Sequence, residues 1–431
     1  MTVHWKRAAL VLLPALALVA SLGAAPAIAT GKVEAPNVAS GPGEGRGPST
    51  APEASVVLEA QVAAYRAAYP RLSVDLARRA AEHQGERKLV YDDLVRNGDR
   101  DFGGAWFDPT TGVLHVAVTN TGAERRALTT AREHGVEVET HRVRRPVAQL
   151  EAQAASLRQG TSPVARAARG QVGYDVRTNT VVASVPADQR ARLEAEGLPD
   201  GVTLVDDPHI ATEQDYGCTS RTACDWTIRA GSVLWRGATG NNVCSVGFTG
   251  RDSSNRRYTL TAGHCSNGNG VTWGTGTAPI GPMMASINSG AQDAAVVRVT
   301  NSWFAADGGG EIYLNTAVNY VAPTVSYIWA GETVCLSANF TNPTGPNRCG
   351  VVGTNSDPAV RGMVRVDGLD ACGGDSGGGW YWLASSTYRV AYGVHSRSDV
   401  GCQGSNGGNR SWFSPIASIR SWAPWLTIET R

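Results

Sequence analysis

Lysine is nearly absent, with none after Lys88. Basic and acidic residues almost balance, 39 against 38, for a net charge of +1. Such a chain has no cationic surplus for neutralising phosphates, so no nucleic-acid partner is expected. Cysteine is missing from the first 217 residues, and all eight lie beyond them. None shows C-x-x-C spacing, which disfavours the competing zinc reading. An even number confined to one part of the chain points instead to disulfides and an oxidising compartment. Long apolar runs are also lacking. The best candidate, Ala8 to Leu22, is interrupted, follows Lys6-Arg7 and leads to Ala27-Ile28-Ala29. It reads as a secretion signal over 1–29, with a membrane anchor as the alternative. Histidine is scarce, and beyond residue 210 only His264 and His395 occur.

Against these absences stands Asp370-Ala371-Cys372-Gly373-Gly374-Asp375-Ser376-Gly377-Gly378. A serine hydroxyl is a weak nucleophile until a base and anion-stabilising donors surround it. Glycines bring backbone N–H groups close to a reacting atom. A Gly-rich surface turn is the plain alternative. Partners elsewhere argue against it. Tyr258-Thr259-Leu260-Thr261 leads into Ala262-Gly263-His264-Cys265, a strand-prone run ending in a potential general base. Asp293 heads the apolar run Ala294 to Val299, where a carboxylate needs a strong donor such as an imidazole N–H. A strand-start aspartate is its alternative reading.

Chain order separates two folds. Gly374-Asp375-Ser376-Gly377-Gly378 also fits the elbow of α/β-hydrolases, which requires acid and then histidine after the serine, with a helix directly behind it. Here His395 precedes Asp399, and an aromatic, strand-prone segment follows Ser376. The order His264, Asp293, Ser376 is that of chymotrypsin.

On these motifs, residues 228–431 resemble chymotrypsin-fold serine peptidases of the bacterial streptogrisin and α-lytic protease branch. The resemblance implies an all-β catalytic domain of two six-stranded antiparallel barrels over 211–431, with the site between them. It implies His264, Asp293 and Ser376 as the triad, and the N–H groups of Gly374 and Ser376 as the oxyanion hole. Ser396 is similar to the serine that bonds the triad aspartate. It also implies Cys244–Cys265, Cys335–Cys349 and Cys372–Cys402 disulfides, with Cys218–Cys224 remaining. No metal or cofactor is expected. Substrates would be proteins or peptides, cleaved by a secreted monomer that keeps no membrane contact after signal removal. A catalytically weak binding protein and an esterase remain as alternatives.

Substrate contacts are placed at Asp370, Ser396, Arg397 and Ser398. Asp370 lies six residues before Ser376, the position of the pocket floor in trypsin, where it would meet arginine or lysine. Arg397 would neutralise it in the alternative, a pocket for aromatic or aliphatic side chains. Asp375 needs a partner, and Arg348, Arg361 and Arg365 are candidates.

Residues 30–210 differ in kind, being charged, cysteine-free and partly helical. Residues 36–52 read as a flexible spacer. Tyr65 to Leu94 has helical periodicity, and hairpins are expected over 105–118 and 172–185, suggesting a weak repeat of helix plus hairpin. The whole resembles the α+β pro-region of α-lytic-type proteases, which implies an intramolecular chaperone and inhibitor. A permanent binding domain is its rival.

Overall fold

The computed structural model describes residues 52–98, 100–207, 228–236, 241–266, 268–275, 278–305, 309–314, 317–322, 327–340, 347–383, 388–399 and 409–430. The expected signal (1–29), nearly all of the spacer, and Cys218, Cys224 and Cys402 lie outside them.

The single helical pattern from Tyr65 to Leu94 divides among α1 (Pro52–Ala68), α2 (Val74–Glu82) and α3 (Gln84–Gly98). Pro70, without an N–H, falls in the gap after α1, and the Ser73 Oγ caps α2 by accepting from Leu76 N at 3.2 Å. Next come β1 (Phe102–Asp108), β2 (Val113–Val118), α4 (Thr121–Glu133) and β3 (Val138–Arg142). A second set follows: α5 (Val147–Gln159), α6 (Pro163–Ala168), β4 (Val172–Asp175), β5 (Thr180–Val185), α7 (Ala187–Glu196) and β6 (Val202–Asp206). Both expected hairpins form, β1 with β2 and β4 with β5. Each opens its turn with an aspartate that accepts from the N–H two residues on, Asp108 from Thr110 and Asp175 from Arg177, both at 2.8 Å. The repeat is larger than helix plus hairpin. In each unit a helix crosses over to a third strand, β3 or β6, parallel to the second. A parallel pair needs such a crossover.

The remainder holds two eight-stranded sheets among the described residues. The first contains β7 (Val233–Arg236), β8 (Asn241–Ser245), β9 (Thr249–Arg251), β10 (Arg257–Thr261), β11 (Thr272–Thr275), β12 (Ala278–Ser289) and β13 (Gln292–Arg298). β8 and β9 are one bent path, and β8 pairs with β7 while β9 pairs with β10, so the sheet closes as six strands. After α8 (Ser302–Ala305) come β14 (Glu311–Leu314), β15 (Ala317–Ala322), β16 (Thr333–Ser337), β17 (Arg348–Asp357), β18 (Met363–Asp367), β19 (Gly379–Leu383), β20 (Tyr388–Ser398) and β21 (Arg410–Pro415). The β20–β21 pairing closes β16 to β21 into the second six-stranded barrel. The chain ends with α9 (Ile416–Trp422) and β22 (Thr427–Ile428), which joins β9. Trp273, Ile280, Met283 and Val297 fill the first barrel, and Leu336, Val366, Trp380 and Phe413 the second. Between them pack Phe248, Leu260, Tyr381 and Val394. That apolar seam fixes the cleft.

The described residues from Pro52 onward form one compact unit. Trp329 and Val351 of the second barrel are buried in the same core as Tyr65, Tyr91 and Phe107. Polar contacts line the junction. Tyr65 Oη donates to Gly331 O at 2.8 Å, and Gln84 Oε1 accepts from Thr333 N and Oγ1, both at 2.8 Å. Phe107 N donates to Ala330 O at 2.9 Å, beside a parallel bridge between Trp106 and Ala330. Lys88 is buried here, bonding Asp92 at 2.7 Å and Tyr327 O at 3.0 Å.

Lys88 also faces Glu332, a fully buried carboxyl that accepts from Trp329 N and Tyr392 Oη, each at 3.0 Å. Burial pushes Glu332 up to about 7, against the pull of Lys88. A raised carboxyl favours the folded chain fully below its unfolded value, and the contribution is lost as pH rises through about 7. Glu332→Gln should therefore raise the Tm more above about pH 8 than below about pH 5. Equal Tm shifts across that range would place the carboxylate in a better-solvated setting.

Candidate active site

Strand pairing carries the imidazole to its acid. β10 and β13 run antiparallel with Thr261 opposite Ala295, so the residues just past Thr261 arrive beside Asp293. A short 3-10 turn, Gly263–Cys265, then presents His264. A Cβ at Gly263 would lie 1.9 Å from Ile287 O, so only glycine allows this approach. The Cys244–Cys265 disulfide ties the turn to β8. Closing this loop is worth about 3 kcal/mol in the chain-entropy account.

Asp293 is fully buried. Its Oδ1 accepts from His264 N at 2.8 Å, and its Oδ2 lies 2.7 Å from His264 Nδ1. Ser396 Oγ donates to the same Oδ2 at 2.5 Å, and Asp293 N donates to Ser414 Oγ at 2.7 Å. Burial acts to raise this carboxyl. The charge and N–H groups of His264, with the Ser396 hydroxyl, outweigh it and hold Asp293 at about 2. It is therefore ionised throughout the range in which an imidazole titrates. With the His264 proton on Nδ1, Nε2 accepts from the Ser376 hydroxyl, 2.8 Å away.

Ser376 sits between two glycines with left-handed backbone, Gly374 and Gly377, both at φ +92°. A Cβ at Gly377 would meet Thr261 Oγ1 at 2.2 Å. The segment is anchored across the cleft, since Ser245 N donates to Ser376 O at 2.7 Å and Ser245 Oγ to Gly374 O at 2.9 Å. Asp375, fully buried, accepts from Phe340 N at 2.6 Å and Cys372 N at 2.8 Å. The three arginines considered for it bond elsewhere. Arg348 donates to Asp370 O, Arg361 to Asn288, and Arg365 to Asp357 and Asp367. Two backbone amides therefore hold Asp375 from either side.

At the expected pocket, Asp370 is buried with 6% of its surface exposed. Ser398 Oγ accepts from Ala371 N at 3.0 Å and lies 2.9 Å from Ser411 Oγ, which in turn donates to Leu369 O at 2.8 Å. These serines lash the segment before Cys372 to β20 and β21. No ion pair joins Arg397 to Asp370, and Arg397 Nε is buried without a hydrogen-bond partner. Cys335 is bonded to Cys349, and Cys372 is also disulfide-bonded. His395, buried, accepts from Trp380 Nε1 at 3.2 Å. Ser414 was not legible as a site residue, because its contact to Asp293 is made by a hydroxyl 121 positions away.

The Ser396 hydrogen bond to a buried carboxylate is worth about 1–3 kcal/mol when removed. Ser396→Ala should lower kcat by about 10- to 100-fold, with KM little changed. An unchanged kcat would reduce Ser396 to a packing role.

No known family profile matches the chain. Serine protease 1 of Streptomyces fradiae is 30% identical over 322 residues, covering 71% of this chain and 78% of that protein. Serine protease 2 of the same organism is 32% identical over 168 residues, covering 35% of this chain and 94% of that protein. Among solved structures, Thermobifida fusca Protease A is 27% identical, with a TM-score of 0.38, over 48% of this chain and 100% of its own. The chain belongs to the streptogrisin-type serine proteases of the chymotrypsin fold.

Proposed function

We propose that this chain is a secreted serine endopeptidase made as a precursor, with a signal over 1–29, a pro-region over 30–210 and a protease domain over 211–431. The observation that carries the catalytic reading is one unbroken relay of hydrogen bonds, Ser396 to Asp293 to His264 to Ser376. Ser376 Oγ attacks the substrate's peptide carbonyl while His264 Nε2 takes the hydroxyl proton. The N–H groups of Gly374 and Ser376 hold the oxyanion of the tetrahedral intermediate. His264 then gives its proton to the departing amine, leaving an acyl-enzyme on Ser376. Water, deprotonated by the same imidazole, releases the acid. Asp293 keeps the imidazole oriented and stabilises its charged form.

The precursor reading rests on two supports. The alignment with Serine protease 1 extends over 71% of the chain, well beyond the C-terminal half. The N-terminal region buries Trp329 and Val351 of the second barrel, as a folding template would. The charged start and short apolar stretch before Ala29, together with the disulfides, favour export. Among the described residues no helix is long and apolar enough to cross a membrane.

A fluorophosphonate probe should label Ser376 alone, and peptide amides should be turned over by the same protein. Labelling at another serine would defeat the reading. Paired peptides ending in arginine or phenylalanine assign the pocket. An arginine preference that disappears in Asp370→Asn makes Asp370 its floor, and equal or better cleavage after phenylalanine removes Asp370 from that role.

A further inference from the structure

The pro-region sheet carries a second cluster that catalysis does not use. β2 and β3 pair in parallel with His115 opposite Glu139, and His141 two residues further along β3. All three therefore share one face of the sheet. His115 Nδ1 lies 2.9 Å from His141 Nε2 and 3.5 Å from Glu139 Oε2, while His141 Nε2 lies 3.9 Å from Glu139 Oε1. Zinc bonded at its usual lengths in a tetrahedron holds its ligand atoms about 3.3 Å apart. The three donors are already spaced on that scale, and two imidazoles with a carboxylate form a common zinc ligand set. Trp106 on β1 stacks on both rings, 5.1 Å from His115 and 5.2 Å from His141, fixing their planes. The side chains of His115 and His141 keep 15% and 34% of their surface exposed, and Glu139 60%, so an ion has a way in.

We propose that His115, Glu139 and His141 bind one divalent transition-metal cation of the zinc class. The fourth position is left for water. The cation would join β2 to β3 under Trp106, whose backbone bridges to Ala330 of the protease barrel. Metal loading would thus stiffen the sheet that docks on the catalytic domain. The plain rival is a hydrogen-bonded histidine pair without a metal.

The full chain carrying Ser376→Ala, which keeps the precursor whole, is titrated with zinc chloride by calorimetry and with cobalt(II) by visible absorption. The expected result is one equivalent bound in the micromolar range or tighter, with the absorption of low-coordinate cobalt and a higher Tm. Glu139→Gln and His141→Gln, both at accessible positions, should each weaken binding by about tenfold or more, the scale seen even for outer partners of metal ligands. Circular dichroism checks that both variants fold. Absence of saturable binding by the folded parent overturns the proposal. So does one equivalent bound with unchanged affinity by both variants, which would place the metal elsewhere.

Discussion

Ser376→Ala should lower kcat for peptide hydrolysis by about 10⁵- to 10⁶-fold and leave the fold intact. The substitution removes the hydroxyl oxygen that lies 2.8 Å from His264 Nε2. It spares the main-chain carbonyl, which accepts from Ser245 N and holds the segment to the first barrel. Hence the Tm should hardly move while turnover falls to what the oxyanion donors and binding alone supply. Adding His264→Ala should cost little more, because the base has no function once its proton donor is gone. Asp293→Asn should cost about 10⁴-fold, through loss of the tautomer that directs a lone pair at Ser376. Rates are normalised to folded protein. A Ser376→Ala variant that keeps most of its kcat would place the nucleophile elsewhere.

The protease domain over 211–431, expressed without the preceding region, should regain little activity on refolding, and residues 30–210 supplied separately should restore it. The barrels close through pairings distant in sequence, such as β10 with β13, β16 with β19 and β18 with β21, and such contacts form slowly. On the proposed reading the N-terminal region would act at a definite place. It covers Trp329, stacked on Tyr91 with ring centroids 6.0 Å apart, and it bonds Gly331 and Thr333 on either side of Glu332. In the proposed chaperone role those contacts would set the start of β16 before its neighbours close around it. Trp329→Ala should then weaken rescue sharply, since emptying a buried tryptophan site costs about 3–5 kcal/mol. Efficient unassisted refolding of 211–431 would remove the chaperone role and favour a permanent binding domain.

Different parts of the molecule were legible to different degrees. His264 and Ser376 stand in local settings of glycine and cysteine that announce their chemistry. Asp293 was readable only as an acid heading an apolar strand, with chain order deciding its role. The hairpins at 105–118 and 172–185 were visible through alternation and their turn aspartates. Their third strands were not. Val138–Arg142 and Val202–Asp206 are short, carry polar residues, and become strands only by pairing with β2 and β5. Helical periodicity ran through Pro70, where the backbone could not follow it.

By itself the sequence singled out His264, Asp293 and Ser376, in the chymotrypsin chain order, as candidate base, acid and nucleophile, because each of those roles needs a particular side chain in a particular local backbone. It also determined that every cysteine lies beyond residue 217. Only the tertiary structure decided that Asp375 is held by the amides of Phe340 and Cys372, that Ser414 supports Asp293, and that His115, Glu139 and His141 meet. Backbone donors have no letter of their own, and residues far apart in the chain become neighbours only when strand register brings them together.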